Sequence, residues 1–183
     1  MAHNLRPFRD YDEHDVINLF AYHGDSTQVV KGLAVKLQAG FNPGTSVNST
    51  PNTALGSIGA SYANTVSERF GISSTVSIAS SGENVLGLTL MDVREFDENG
   101  EKLVFNPRKA AEIGAVVSGQ AVPVLTKGLV MYSGTNATVG HVAFVGATAG
   151  ELASAATLPA NAVKVGRWLS TAATNVALLK IEL

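Results

Sequence analysis

The stretch from His141 to Leu183 constrains this chain most. It reads HVAFVGATAG, then VKVGRWLS at 163–170, then VALLKIEL at 176–183. These are short runs in which apolar residues alternate, separated by Gly, Ala, Ser, Thr and Asn. A period of two places successive side chains on opposite faces of a strand. No acid, base, thiol or metal-ligand cluster lies among them. The final run is expected to tie its end into a sheet. The pattern predicts a rigid β-rich body that offers surface rather than catalysis.

At 183 residues a single domain with a proper core is expected. The net charge of −2 gives no strong field for nucleic acid or an anionic membrane. Only 15% of residues are charged, against roughly 25% in ordinary globular domains. Small residues take their place, so the exterior carries short side chains or is covered by neighbours in an assembly. There is no Cys, so neither disulfides nor zinc fingers are expected to support the fold. The opening MAHNLRPFRDYDEHD has no apolar core of a signal peptide, and no run is long enough to span a bilayer. Synthesis in a cytosol is expected, with neither membrane nor nucleic acid as a partner.

Residues 1–14 read as a polar, extended arm interrupted by Leu5, Pro7, Phe8 and Tyr11. Such an arm either frays or docks on a partner, and docking explains the large apolar side chains better. DVINLFAYHG (15–24) predicts a strand buried on both faces, with Ile17, Leu19 and Ala21 on one of them. VVKGLAVKLQ (29–38) predicts a second strand, with Leu33, Val35 and Leu37 inward. Residues 39–60 form a long irregular loop rich in Gly and Pro. A short helix is expected over 61–71, from the spacing of Tyr62, Val66 and Phe70. Residues 74–107 predict consecutive antiparallel strands, with Leu86, Leu88 and Leu90 as an inward row. Asn99-Gly100 signals a two-residue hairpin that pairs Asp97 with Lys102 and sets Glu98 against Glu101, a clash that a longer loop relieves. NPRKAAEIGA predicts a two-turn helix with Asn106 as N-cap and Pro107 in the first position. Strands follow at 120–126, 128–134 and 141–146, then a loop over 149–161 and the last two strands. The whole predicts a mainly β domain over 15–183, a compact antiparallel barrel- or sandwich-like body with one or two short helices and an extended N-terminal arm over 1–14.

Catalytic, metal and cofactor motifs do not emerge. Glu95-Phe96-Asp97-Glu98-Asn99-Gly100 imitates the start of a calcium loop, but the twelfth position is Asn106 where a bidentate acid is needed. The hairpin reading wins there. The histidines at 3, 14, 23 and 141 lack ligand spacing. Trp168, the only Trp, is expected in the core, and Arg167 beside it is the better interface candidate.

The segments VLGLTLMDV, GQAVPVLTKGLVMY, VGHVAFVGATAG and VKVGRWLSTAATNVALLKIEL, in that order, resemble the head decoration (cement) proteins of tailed bacteriophages. The opening NLRPFRDYDEHDVINLFAY is similar to the start of structural proteins of marine phages. The resemblance covers 85–183, and the 39–60 loop and the additional N-terminal strands depart from the smallest family members. It implies a non-enzymatic virion protein that binds the outside of the mature capsid lattice as a dimer or trimer and stabilises the head. Its partner would be the major capsid protein, and it would need no cofactor and no metal. Contacts are expected on Leu5, Arg6, Pro7, Phe8, Tyr11 and Arg167. The rival readings are a tail-fibre or receptor-binding module, marked by exposed aromatic clusters, and a small β-barrel enzyme with a polar pocket.

Overall fold

The alternating runs become two facing sheets in the computed structural model, which describes residues 6–7, 15–22, 29–39, 75–117 and 120–183. The first sheet is antiparallel throughout. It is built from β1 (Arg6–Pro7), β10 (Lys127–Ser133), β14 (Val176–Glu182), β13 (Lys164–Trp168), β11 (Val142–Val145) and β12 (Leu152–Ala155), in that spatial order. The second has the order β2 (Val16–Ile17), β9 (Val124–Leu125), β6 (Gly87–Thr89), β4 (Ala34–Ala39), β5 (Thr75–Ile78) and β3 (Ala21–Tyr22). Among the described residues neither sheet closes into a barrel, and the arrangement is sandwich-like.

The main core lies between the sheets. Ala34, Leu88 and Leu125 from the second sheet meet Val130, Tyr132, Val145, Trp168, Leu179 and Ile181 from the first. Strand β14 shows why. Ala177, Leu179 and Ile181 are buried, while Val176, Leu178, Lys180 and Glu182 point outward. Tyr132 and Trp168 are the two largest fully buried side chains. Their rings meet edge to face, 5.9 Å apart and inclined at 65°, a geometry the ring quadrupoles favour. Both polar tips reach edge strand β12: the Leu152 N–H donates to Tyr132 Oη at 3.3 Å, and Trp168 Nε1 donates to the Ala153 carbonyl at 3.5 Å. Burial pushes the Tyr132 phenol up to about 12, so it stays neutral.

The β11–β12 hairpin sews the sheets together at its tip. The Gly150 carbonyl accepts from the Ala34 N–H at 2.8 Å, and its own N–H donates to the Ala79 carbonyl at 2.8 Å. Gly150 has φ +77, and a Cβ there would lie 2.9 Å from Ile78 Cγ2, so both backbone and space require glycine.

Several expected elements differ. The 15–24 run is no single strand. It breaks at Asn18–Phe20, because β2 pairs antiparallel with β9 whereas β3 pairs parallel with β5. Leu19 is 49% exposed at this break rather than inward. Leu37 is also exposed, near the register shift between β4 and β5. Strands β5 and β6 do not pair with each other, since β4 lies between them. The 149–161 loop contains β12, whose small residues LASA hide the alternation. The expected 39–60 loop, apart from Ala39 in β4, and the expected 61–71 helix lie outside the described residues.

Tyr132→Phe keeps the ring and leaves the buried Leu152 N–H without its acceptor. The variant should lose about 1–3 kcal/mol of stability, read as a lower denaturant midpoint at unchanged slope. An unchanged midpoint would show that water replaces the phenol.

Candidate interaction surfaces

The N-terminal segment follows one partner across the corner between the sheets. The chain passes from β9 to β10 through Thr126, leaving one sheet for the other. Residues 15–21 run antiparallel beside 121–126. The pairs are Ile17 with Val124, Val16 with Leu125 and Ala21 with Ala121. The Asp15 carbonyl accepts from both the N–H and Oγ1 of Thr126, at 2.9 and 3.0 Å. Beyond the corner Arg6 and Pro7 lie opposite Met131 and Val130 of β10. The main chain at these two positions is therefore an edge strand of the chain's own sheet. Leu5, Phe8 and Tyr11, the other expected contacts of the arm, lie outside the described residues. The structure does not bring Arg167 beside Arg6 and Pro7 in the sheet: β13 and β1 are separated by β14 and β10.

Arg167 projects from the outer face of the first sheet and is exposed, in register with Val142 of β11 and Lys180 of β14. The register puts Met131 opposite Leu178 and Lys127 opposite Glu182 on the same face. Val142 and Phe144 lie on β11, beyond Arg167 and Lys164 of β13, and alternate with the buried Ala143 and Val145. Met131 and Leu178 thus form an apolar, half-buried pair towards one end of the face, and the charges of the central strands gather towards the other. Glu182 there accepts from Lys180 at 2.6 Å and from Lys164 at 3.2 Å, which holds its carboxyl below the usual range. Trp168, next to Arg167, points the other way and is fully buried.

Residues 92–117 form an excursion from the sandwich. Strands β7 (Asp92–Arg94) and β8 (Ala115–Val117) pair in parallel, so this region is not the expected run of antiparallel strands. A parallel pair needs a long crossover. A hairpin, a 3-10 turn at Leu103–Phe105 and the helix α1 (Pro107–Glu112) supply it. The helix starts where the sequence requires: the Asn106 side chain accepts from the Lys109 N–H at 3.3 Å and Pro107 follows. Leu103, Ala110 and Val117 form a small core under it. Val29 ties β7 to the body through two main-chain bonds to Val93, at 3.1 and 2.8 Å.

The hairpin closes with a three-residue loop instead of the expected two-residue turn. Phe96 bridges to Lys102, and the Asp97 N–H donates to the Glu101 carbonyl at 2.9 Å. Gly100 takes the left-handed position, φ +82, as such loops demand. The longer loop removes Glu98 from opposite Glu101, and it gives Asp97 a different cation. Asp97 Oδ1 accepts from the N–H groups of Asn99 and Glu101, both at 2.8 Å, and Oδ2 meets Lys109 Nζ at 2.6 Å. The carboxylate that the calcium-like spacing singled out thus clasps the hairpin to α1. Lys109 holds the Asp97 carboxyl below its usual range, helped by the two amides, and the Lys109 ammonium is raised in return. Among the described residues no three His, Cys, Asp or Glu side chains gather as a metal site. His141, the one described histidine, bonds through Nδ1 to Ser154 Oγ at 3.1 Å.

The excursion also carries a surface that the sequence reading passed over. Phe105 is 84% exposed, with Val104 at 42% and Phe96 at 39%. Leu103-Val104-Phe105 is a consecutive apolar triplet in a turn of three residues per revolution, so only Leu103 can face the small core. That triplet, immediately before Asn106-Pro107, was the available signal. Comparison with family models, curated proteins and solved structures finds no match to this chain.

Asp97 is depressed in the fold, so its contribution is complete above the unfolded value of about 4 and fades as pH falls through the lower folded value. Asp97→Asn should loosen 95–113 at neutral pH, read as faster amide exchange. It should also flatten the dependence of that exchange on pH below about 4. Equal protection in variant and parent at pH 7 would remove the clasp from the account.

Proposed function

We propose that this protein is a structural component of a tailed-bacteriophage virion that decorates and stabilises the outer surface of the mature head. The reading is carried by the ordered pattern of residues 85–183 that resembles head decoration proteins. Two structural features support it. The body is stiff, with two sheets locked by interdigitated apolar side chains and by Gly150 at the hairpin tip. Arg6 and Pro7 of the N-terminal arm pair with the sheet edge.

A mature head is strained outward by its packaged genome, so a protein that bridges neighbouring capsid subunits resists expansion. Each bridge can be weak, because many copies on a fixed lattice act at high effective concentration. The arm supplies the grip. With the main chain of Arg6 and Pro7 paired to β10, these residues anchor the arm on the body. The contact with the capsid lattice falls to Leu5, Phe8 and Tyr11. Arg167 offers a second contact from the exposed sheet face.

The test is co-sedimentation with expanded, otherwise bare phage heads. The parent chain should be retained. Phe8→Ser with Tyr11→Ser should weaken retention by roughly tenfold or more, as loss of aromatic anchors does, while thermal unfolding is unchanged. A parent chain that stays in the supernatant sinks the proposal, and binding to host-surface glycan instead would favour a receptor-binding module.

A further inference from the structure

Two surfaces of this chain fit each other. The first is the excursion, where Val104 and Phe105 stand exposed in the 3-10 turn and Phe96 on the hairpin that precedes it. Apolar side chains at this exposure in a short segment mark a contact surface rather than ordinary scatter. Its rim is acidic. Residues 92–112 hold six carboxylates against four cations, a net −2, and Glu98 and Glu101 at the hairpin tip are exposed. The second surface is the outer face of the first sheet. Met131 and Leu178 are an apolar pair on it, Lys180 and Arg167 lie side by side in the next row, and Lys127 stands opposite Glu182, the one acid there among the described residues. Residues 120–183 hold four cations against two carboxylates, a net +2.

We propose that the excursion of one copy docks on the outer sheet face of the next. Val104 and Phe105 would cover Met131 and Leu178, and Glu98 and Glu101 would meet Arg167 and Lys180. The partner is a second copy of this chain because both halves of the match are present on one molecule, with opposite net charge and with exposed apolar residues on each side. The two surfaces are different, so the contact is heterologous: it repeats from copy to copy and generates a ring, or a filament where the rotation does not close. Complementary charge sets the register and excludes tip-to-tip or face-to-face pairing. This inference concerns the isolated chain and stands independently of what the assembly decorates.

The experiment uses two full-length variants and light scattering after size-exclusion chromatography. One carries Glu98→Lys and Glu101→Lys, which turns the tip basic. The other carries Arg167→Glu and Lys180→Glu, which turns the face acidic. The parent chain should self-associate, and low salt should tighten it. Each variant alone should associate at least about tenfold more weakly, because like charges then face each other. An equimolar mixture should recover the association, since each variant's tip now suits the other's face. Recovery on mixing also proves both variants folded. Phe105→Asp should abolish association in every combination. A parent that stays monomeric at high concentration, or variants that do not recover on mixing, would overturn the proposal.

Discussion

The structure depends on a problem that every open sheet must solve: what to do with the last strand. An exposed edge is an invitation to indiscriminate pairing. Strand β12 has only β11 beside it, and its Leu152 N–H turns away from that neighbour. The core supplies the acceptor. Tyr132 and Trp168 fill the space between the sheets with their rings and turn their polar tips to β12. Two side chains thus perform both tasks, packing the interior and capping an edge. Both rings come from inner strands, Tyr132 from β10 and Trp168 from β13, and reach from there to the edge. A phenol and an indole need a polar partner when buried, and the end of a sheet is where main-chain groups remain unclaimed.

The opposite side of that sheet meets the same demand with main chain instead. Arg6 and Pro7 lie against β10, and Pro is tolerated at an edge because its missing N–H costs no ladder bond on the outer side. Residues 15–17 lie against 124–126 on the other side of the Thr126 corner. The two described pieces of the N-terminal region thus pair with one sheet each, on either side of the place where the connecting strand changes sheets. The Gly150 tip provides a separate stitch between the sheets. Main-chain stitches of this kind leave few ways for the two layers to slide.

The sequence made the strands of the first sheet legible because β10, β11, β13 and β14 each have one wet face, so their residues alternate. The helix at Pro107 was legible for a local reason, the Asn106 cap. What stayed hidden was set by partners distant in sequence. The change from β9 to β5 as the pairing partner breaks 15–22 in two, and nothing between Val16 and Tyr22 announces it. Strand β12 was hidden because Ala and Ser serve either face equally. The hairpin loop was half legible: Asn99-Gly100 placed the turn, and the repulsion of Glu98 and Glu101 already argued against the shorter loop. The two surfaces were legible unequally. Arg167 could be picked out beside a buried Trp, whereas the exposure of Phe105 follows from the three-residue period of its turn, a feature no alternation reports.

The low charge of this chain gains a physical meaning once its charges are located. Ten of the 28 charged side chains fall in residues 92–112, and only six in residues 120–183. Charge is thus concentrated on the excursion, where Asp97 and Lys109 use part of it to hold the hairpin on α1. Most of the larger sheet is left with small or apolar residues and a few cations. A surface with little charge has little to desolvate when it is covered, so its apolar area counts more fully towards association. A tip with acids around exposed phenylalanine has the reverse character, since its charges can remain in water at a rim while the rings are buried. The sparse charge of the composition and the crowded charge of the excursion are then two sides of one arrangement, in which a nearly neutral body receives and a charged tip directs.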